Sequence, residues 1–123
     1  MKINSAAVIG TGFIGTVHVE SIRRTGVPVK GVLAGNPEST KIGAKKLFVD
    51  LAYESLDQIC QDKDVTVVHV TSPNALHYEQ VKQLLNAGKH VVCEKPLALS
   101  AQEGRELVEL AKKTGLIHAT CFN

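Results

Sequence analysis

Short apolar runs alternate along the chain with segments whose apolar residues recur at helical spacing. Residues 6–9 form a continuous apolar run that ends at a glycine, a pattern typical of a strand covered on both faces of a parallel sheet. Apolar residues then recur at near-helical spacing from Phe13 to Ile22, and Gly26 predicts the end of that helix. Val65–Val70 is the strongest strand pattern, because nearly all of its residues are β-branched.

Cap and turn residues delimit the other predicted elements. Asn36 followed by Pro37 predicts a helix N-cap with proline at the first helical position, and Ser100 with Glu103 predicts a capping box. The further predicted strands are residues 27–33, 49–53, 90–93 and 116–120, and the further predicted helices run over residues 37–47, a short stretch after Ser55, residues 74–86 and residues 101–115.

Six predicted strands separated by five helical segments indicate the α/β class. The alternation predicts a doubly wound, mostly parallel six-stranded sheet of the Rossmann type, with right-handed crossovers and helices on both faces. The expected strand order is 3-2-1-4-5-6. No repeat, low-complexity tract or linker interrupts the sequence, so residues 1–123 are predicted to form one domain.

Composition and charge narrow the possible partners. The 123 residues are 44% hydrophobic and 21% charged, as in a soluble globular domain. Because 14 Lys and Arg are interspersed with 12 Asp and Glu for a net charge of +2, binding to nucleic acid or to a membrane surface is not expected. No apolar stretch reaches the roughly 20 residues of a membrane span and no signal peptide is evident, so a cytoplasmic location is expected.

The cysteines and most histidines do not show the spacing that is typical of disulfides or metal sites. Cys60, Cys93 and Cys121 are odd in number, far apart and in no CxxC pair, so neither a disulfide framework nor a zinc site is predicted. The histidines without ligand spacing are interpreted as structural, and no metal site is predicted; these are His18, His69, His90 and His118.

A glycine-rich turn follows the first predicted strand and opens the first helix. The pattern GxGxxG in this context is the dinucleotide fingerprint. Gly10 permits the tight turn, Gly12 lets the backbone approach a pyrophosphate, and Gly15 lets helix and strand pack closely. The phosphates would meet free N–H groups at the positive end of the helix dipole. The predicted cofactor-binding residues here are Gly10, Thr11, Gly12, Phe13, Ile14 and Gly15. The alternative is a tight turn without a ligand.

The end of the second strand lacks the acidic residue that NAD-binding domains place there to hold the ribose 2′-hydroxyl. That place reads Ala34-Gly35-Asn36, which carries no charge to repel a 2′-phosphate. The helix start that follows, with Asn36, Ser39, Thr40 or Lys41, offers groups to receive one. The predicted cofactor is therefore NAD(P), with a preference for NADP.

The loops after strands four and five should meet the glycine turn, because ligands of this fold lie beyond the carboxyl ends of neighbouring strands. The predicted cofactor-cleft residues are Thr71, Ser72, Pro73, Asn74 and His77 after strand four, and Glu94, Lys95 and Pro96 after strand five. Lys95, flanked by Glu94 and fixed by Pro96, is a candidate for proton transfer if it is buried. The alternatives are that Asn74 is an N-cap, His77 a partly exposed helix residue and Lys95 a solvated partner of Glu94.

Four segments together resemble the amino-terminal domain of one known family, that of glucose-fructose oxidoreductase, inositol dehydrogenase and rhizopine catabolism proteins (Gfo/Idh/MocA). The block that runs from Ala87 into Glu94-Lys95-Pro96 is more specific than the glycine pattern. The matching segments are Gly10 to Gly15, Ser72-Pro73-Asn74 with His77, Ala87-Gly88-Lys89-His90-Val91, and Glu94-Lys95-Pro96.

The resemblance implies an NAD(P)-dependent oxidoreductase that acts on sugars, cyclitols or related hydroxyl and carbonyl compounds. It implies a catalytic role for Lys95, beside the nicotinamide and the reacting oxygen. Glu94 and Pro96 would shape the nicotinamide side of the pocket, and Asn74 and His77 would line the cofactor cleft. Ala34-Gly35-Asn36 is similar to the sequence of NADP-using members.

The family's second domain, an α+β unit on an open antiparallel sheet that supplies much of the sugar pocket, is absent from these 123 residues. We therefore expect a fragment that binds cofactor but is inactive alone, with a sugar or cyclitol substrate in the longer protein and a tendency to form homo-oligomers. A non-catalytic dinucleotide-binding or sensing module is the alternative. The retained Glu94-Lys95-Pro96 favours the enzyme.

Overall fold

The computed structural model describes residues 2–122. Strands and helices alternate, as the sequence pattern predicts. The strands are β1 (Ser5–Ile9), β2 (Val29–Leu33), β3 (Leu51–Ala52), β4 (Val65–Val70), β5 (His90–Glu94) and β6 (His118–Cys121). The helices are α1 (Phe13–Arg24), α2 (Pro37–Lys46), α3 (Leu56–Gln61), α4 (His77–Asn86) and α5 (Ala101–Thr114), and a 3₁₀ turn, Asn74–Leu76, precedes α4.

The strands form one six-stranded sheet in the order β3-β2-β1-β4-β5-β6, and every pairing is parallel. The predicted doubly wound α/β architecture and strand order are confirmed. All five residues of β1 are buried, which explains why this strand reads as a continuous apolar run. Because β1 has β2 on one side and β4 on the other, the strand order reverses there and opens a crevice at the carboxyl edge.

Helices cover both faces of the sheet and enclose two hydrophobic cores. On one face, Val19 and Ile22 of α1 pack with Ala44 of α2 against the sheet. On the other face, Leu85 of α4 and Leu107 of α5 belong to the larger core. Within the described residues, no helix is both long enough and apolar enough to cross a membrane.

The third strand is much shorter than the predicted stretch 49–53, because the end of α2 uses its first residues. Phe48 adopts a left-handed conformation with φ of 52°. The Val49 N–H then donates to the Ala44 carbonyl oxygen at 2.9 Å, a bond of the Schellman type that closes the helix. Pairing with β2 is therefore left to Leu51–Ala52.

The last strand is displaced towards the C-terminus for the same reason. Gly115 ends α5 with φ of 68°, and the Leu116 N–H donates to the Ala111 carbonyl oxygen at 3.2 Å. The strand therefore occupies His118–Cys121 instead of the predicted residues 116–120. The second strand also begins two residues later than predicted, after Pro28, which has no N–H to donate to a ladder.

The helix predicted to begin at Asn74 begins at His77 instead. The Leu76 N–H donates to the Pro73 carbonyl oxygen at 2.9 Å, so the chain after Pro73 first makes a 3₁₀ turn. This short turn carries the chain from the carboxyl end of β4 across the crevice before α4 packs on the sheet.

Candidate functional site

The loop between β1 and α1 presents the start of a helix at the carboxyl edge of the sheet. Gly10 has φ of 97°, and a Cβ there would lie 2.5 Å from the Thr71 carbonyl oxygen, so only glycine fits. At Gly15, a Cβ would lie 2.0 Å from the Gly10 carbonyl oxygen, because α1 packs directly on the turn. A Cβ at Gly12 would meet nothing within 4 Å. The structure shows the turn and packing roles of Gly10 and Gly15, and it leaves open space beside Gly12.

Thr71, the first residue after β4, ties the next loop to this glycine turn. Its N–H donates to the Ile9 carbonyl oxygen at 2.7 Å. Its hydroxyl lies 2.8 Å from the same oxygen and 3.2 Å from the Gly10 carbonyl oxygen. The two loops that border the crevice are therefore held in a fixed relation.

A cleft of about 520 Å³ lies between these loops and the end of β2. It brings together many of the predicted cofactor-binding residues, namely Gly10, Thr11, Gly12, Ala34, Gly35, Thr71, Ser72 and Pro73. Ser39 of α2 lines it as well. The sequence interpretation missed Ile9, Leu33, Leu76 and Gln80. Within the described part of the chain, none of the residues lining the cleft carries a charge.

A smaller recess of about 160 Å³ adjoins the cleft. Thr71 and Ser72 line both cavities, so the two lie side by side. The other residues lining the recess are Ile14, Asn74, His77, Glu94 and Lys95, all of them predicted from the sequence. The loops after β1, β4 and β5 thus converge at one edge, as expected from the strand order.

His77 lines the recess, but it is buried and is not the partly exposed helix residue that the alternative interpretation describes. It is 1% exposed, and its ring nitrogens are already engaged. Nδ1 lies 2.7 Å from the Pro96 carbonyl oxygen and Nε2 lies 2.8 Å from the Ser72 carbonyl oxygen. The ring therefore contributes to the wall of the recess but ties the loop after β4 to the loop after β5, and its nitrogens do not point to a ligand. Asn74, three residues earlier, is exposed at the recess.

Glu94 is the buried acidic group of the recess. His18 of α1 lies against it, with Nε2 3.0 Å from the carboxylate Oε1. Burial alone would raise the pKa of the Glu94 carboxyl, but the hydrogen bond and charge of His18 outweigh burial and hold the pKa below its usual range. The other ring nitrogen of His18 lies 2.8 Å from Nδ1 of His69 on β4. The end of β5 is thereby anchored to α1.

Lys95 stands directly after this anchored strand end. Its N–H donates to the Cys121 carbonyl oxygen at 3.2 Å, which fixes the backbone, while the side chain is exposed. The burial that the sequence hypothesis requires for proton transfer is therefore not supplied by residues 2–122. A substrate or a covering structure would have to supply it.

Several predicted site residues lie outside both cavities. The side chain of Phe13 is 82% exposed, and Gly15 and Pro96 act through packing and through a carbonyl oxygen. The side chain of Asn36 accepts from the Ser39 N–H and so caps α2. Lys41 lies one turn further along α2, beside a shallow surface depression near Phe48, and does not reach the cleft.

Comparison with known proteins assigns the chain to a family with this fold. Residues 5–122 match the model of the GFO_IDH_MocA family, described as an oxidoreductase family with an NAD-binding Rossmann fold. The chain belongs to this family. The match confirms the resemblance found in the glycine turn and in the block ending at Glu94-Lys95-Pro96.

Named members of the family show what the chain is similar to. It is 34% identical over 119 residues to 1,5-anhydro-D-fructose reductase of Ensifer adhaerens, covering 96% of this chain and 36% of that protein. It is 35% identical over 117 residues to myo-inositol 2-dehydrogenase of Thermotoga maritima, covering 94% and 35%. Levoglucosan dehydrogenase, solved with NADH and levoglucosan, superposes with a TM-score of 0.88 at 29% identity, covering 94% and 34%. The chain thus spans about a third of the length of these relatives.

Proposed function

We propose that this chain is the cofactor-binding part of an NAD(P)-dependent oxidoreductase acting on a hydroxyl or carbonyl group of a sugar, a cyclitol or a related compound. The observation that carries the proposal is that the cleft and the recess share a wall. An uncharged cleft at a glycine turn adjoins a small recess lined by Glu94 and Lys95, with Thr71 and Ser72 lining both. The relatives named for reactions on anhydrofructose, inositol and levoglucosan support the substrate class.

The residues present fit a dinucleotide. The first turn of α1 offers unpaired N–H groups for the pyrophosphate, and the open space at Gly12 leaves room for it. Ala34 and Gly35 border the end of the cleft that suits the adenosine ribose, and Thr71 and Ser72 border the passage to the recess. When bound, the nicotinamide supplies or accepts the hydride.

We infer that Lys95 donates or accepts the proton at the substrate oxygen. Its exposed side chain lines the recess, and its backbone N–H donates to the Cys121 carbonyl oxygen. His77 holds the carbonyl oxygen of the next residue, Pro96. A lysine restrained at both neighbouring peptide groups keeps its geometry while a proton moves, which is what general acid or base catalysis needs.

The proposed cofactor preference is for NADP over NAD. No carboxylate lines the cleft near Ala34, so nothing repels a 2′-phosphate, and Ser39 stands at the start of α2 beside it. Thr40 does not contribute, because its hydroxyl is buried between the Asn36 carbonyl oxygen and the Ala34 N–H. Because no lysine or arginine lines the cleft within residues 2–122, we expect a modest preference.

The location and assembly belong to the same proposal. We expect a cytoplasmic protein that forms homo-oligomers in its longer form, and self-association of the 123-residue chain through the exposed apolar side chains at the edge of the site.

Titration of the chain with NADPH and with NADH, followed by nucleotide fluorescence at low salt, tests this proposal. We expect both to bind and NADPH to bind more tightly. Equal or tighter binding of NADH would contradict the NADP preference and leave the domain function standing. Binding of neither nucleotide by the folded chain would contradict the function itself.

A further inference from the structure

A cluster of ligand-type side chains lies beneath Lys95, on the face of the sheet that α1 covers. His18 of α1, Glu94 of β5 and Cys121 of β6 meet there, and one ligand atom from each lies within 4.8 Å of the others. His18 and Glu94 are each 6% exposed, and Cys121 is half-buried. Three elements far apart in sequence thus direct a ring nitrogen, a carboxylate and a sulfur to one point.

The ring of His18 is supported in the way that a metal ligand requires. Metal-bound histidines nearly always use their other ring nitrogen in a hydrogen bond that fixes the tautomer. The other nitrogen of His18, Nδ1, lies 2.8 Å from Nδ1 of His69, and the two rings stand edge to face at 81°. Nδ1 of His69 can accept this bond in the tautomer that carries the ring proton on Nε2.

The thiol distinguishes the cluster from an ordinary histidine–carboxylate pair. The Cys121 thiol forms a hydrogen bond with the Glu94 carboxylate, which His18 also contacts. A dication at this point favours the thiolate form of Cys121 directly, so the thiol can serve as a ligand. One dication, one carboxylate and one thiolate sum to zero charge, which suits a buried place.

We propose that His18 Nε2, the Glu94 carboxylate and Cys121 Sγ form a binding site for one thiophilic divalent cation, with Zn²⁺ as the best fit. Mixed nitrogen, oxygen and sulfur ligands in a tetrahedral arrangement are typical of zinc, and a water molecule would complete the coordination. On binding, the Cys121 thiol proton leaves to solvent. His18 coordinates through Nε2 as a neutral ring with its one proton on Nδ1, where Nδ1 of His69 accepts it, and any further His18 proton leaves to solvent.

The geometry requires only small side-chain movements. Bonds of about 2.0–2.3 Å to a tetrahedral ion place neighbouring ligand atoms roughly 3.3–3.7 Å apart. The present separations, 3.0 Å between His18 and Glu94 and up to 4.8 Å within the cluster, bracket that range. The site would join α1, β5 and β6 beneath Lys95. Glu94 directly precedes Lys95 in sequence, and the Cys121 carbonyl oxygen accepts a hydrogen bond from the Lys95 N–H.

Cobalt(II) is the probe for this site, because tetrahedral cobalt with a thiolate ligand absorbs both in the visible and in the near ultraviolet. The chain is stripped with a chelator, reduced, and titrated with Co²⁺ alone. We expect both absorptions to saturate at one equivalent and to be abolished by Zn²⁺. Weak absorption without saturation, or saturation without the thiolate band, would overturn the proposal.

Variants assign the ligands. Cys121→Ser should remove the thiolate band, whereas Cys60→Ser, a matched change at a half-buried cysteine of α3 outside the cluster, should leave it unchanged. Glu94→Gln should weaken cobalt binding at least about tenfold. Circular dichroism checks that each variant is folded, and where Glu94→Gln does not fold, Cys121→Ser decides. A band that persists in folded Cys121→Ser, or is lost in Cys60→Ser, contradicts the assignment.

Discussion

Gly12 and Gly15 lie three residues apart at the start of one helix, yet an added methyl group meets opposite surroundings at the two positions. At Gly12 it would find nothing within 4 Å, and at Gly15 it would lie 2.0 Å from a backbone oxygen. Packing within the chain therefore requires glycine at position 15. At position 12 the chain itself makes no such demand, and only a ligand coming close to the backbone would.

This contrast makes Gly12→Val a clean test of the phosphate site. We expect the variant to fold with nearly unchanged stability, because its φ of −75° suits any residue, and to lose NADPH and NADH affinity by at least about tenfold. Fluorescence titration and thermal unfolding measure the two effects. Gly104→Val is the matched control, since Gly104 lies on α5 and its Cβ would also meet nothing within 4 Å. Wild-type affinity in folded Gly12→Val would remove the glycine turn from the site.

The half-buried histidines His69 and His118 predict that the folded protein loses stability in mild acid. The pKa of His69 falls from 6.5 to about 4 on folding, chiefly through burial, so the unfolded chain binds more protons as the pH drops below 6.5. His69 then contributes stability that is present above pH 6.5 and is lost progressively towards pH 4. His118 is shifted in the same direction by burial.

Urea unfolding at pH 7 and pH 5, with a chelator present so that metal plays no part, measures this contribution. We expect His69→Asn, whose side-chain amide can still hydrogen-bond with His18, to lose less stability between the two pH values than the wild type. The difference should be roughly 1–2 kcal/mol, below the full value of the shift because the ring is partly open to solvent. Identical pH dependence in the two proteins would show that His69 is not perturbed.

At the level of helices and strands, signals that are local in sequence predicted the architecture well. The strand order follows from the alternation of apolar runs and helical patterns along the chain. The helix starts follow from the cap residues Asn36, Ser55 and Ser100, which lie next to the helices they cap. The start of β3 did not follow, because Phe48 takes a left-handed conformation that usually marks glycine or asparagine. No periodicity indicates that choice.

Among the site residues too, those whose placement depends on nearby sequence were predicted, and those whose placement depends on distant elements were not. The loops after β1, β4 and β5 were predicted to meet, and they do. The outward placement of Lys41 and the engaged ring of His77 depend on how each helix is rotated and begun, which the sequence leaves open. The cluster of His18, Glu94 and Cys121 joins three elements and therefore shows no spacing in the sequence.

The packing of α1 on its own turn gives a prediction at this level. Gly15→Ala places a Cβ against the Gly10 carbonyl oxygen, so α1 must move away from the turn. We expect a loss of at least about 2 kcal/mol in unfolding free energy, together with weaker nucleotide binding, because the helix start no longer faces the cleft correctly. Gly12→Ala, the same change at an open position, should cost far less. Equal denaturation midpoints for the two variants would contradict this account.

For the whole molecule, the carboxyl edge of the sheet carries the cleft, the recess and several exposed apolar side chains. Phe13, Leu99 and Phe122, which follow β1, β5 and β6, are 82%, 65% and 82% exposed. The same edge leaves the Lys95 side chain in solvent. Because the chain spans about a third of the length of its relatives, we infer that the working enzyme covers this edge with structure from outside residues 1–123.

That inference predicts a separation between cofactor binding and turnover. We expect the 123-residue chain to bind NADPH or NADH and to oxidise or reduce no sugar or cyclitol, whereas a protein extended by a second domain turns over. In the extended protein, Lys95→Ala should keep cofactor affinity and lower kcat by roughly 10²–10⁴-fold, the range for loss of a general acid or base. The measurements are nucleotide titration and steady-state absorbance with a panel of sugars and cyclitols.

The physical reason is that turnover needs a substrate held in place between Lys95 and the nicotinamide, and we expect the 123-residue chain not to hold it. Holding substrate and catalytic group in register is worth roughly 7–11 kcal/mol of the barrier, and an exposed lysine beside a recess of about 160 Å³ holds no sugar against a nicotinamide. Water would also reach the reacting atoms. Steady turnover by the 123-residue chain would therefore show that the recess alone positions substrate. Undiminished turnover by the extended Lys95→Ala variant would show that the proton moves through another group.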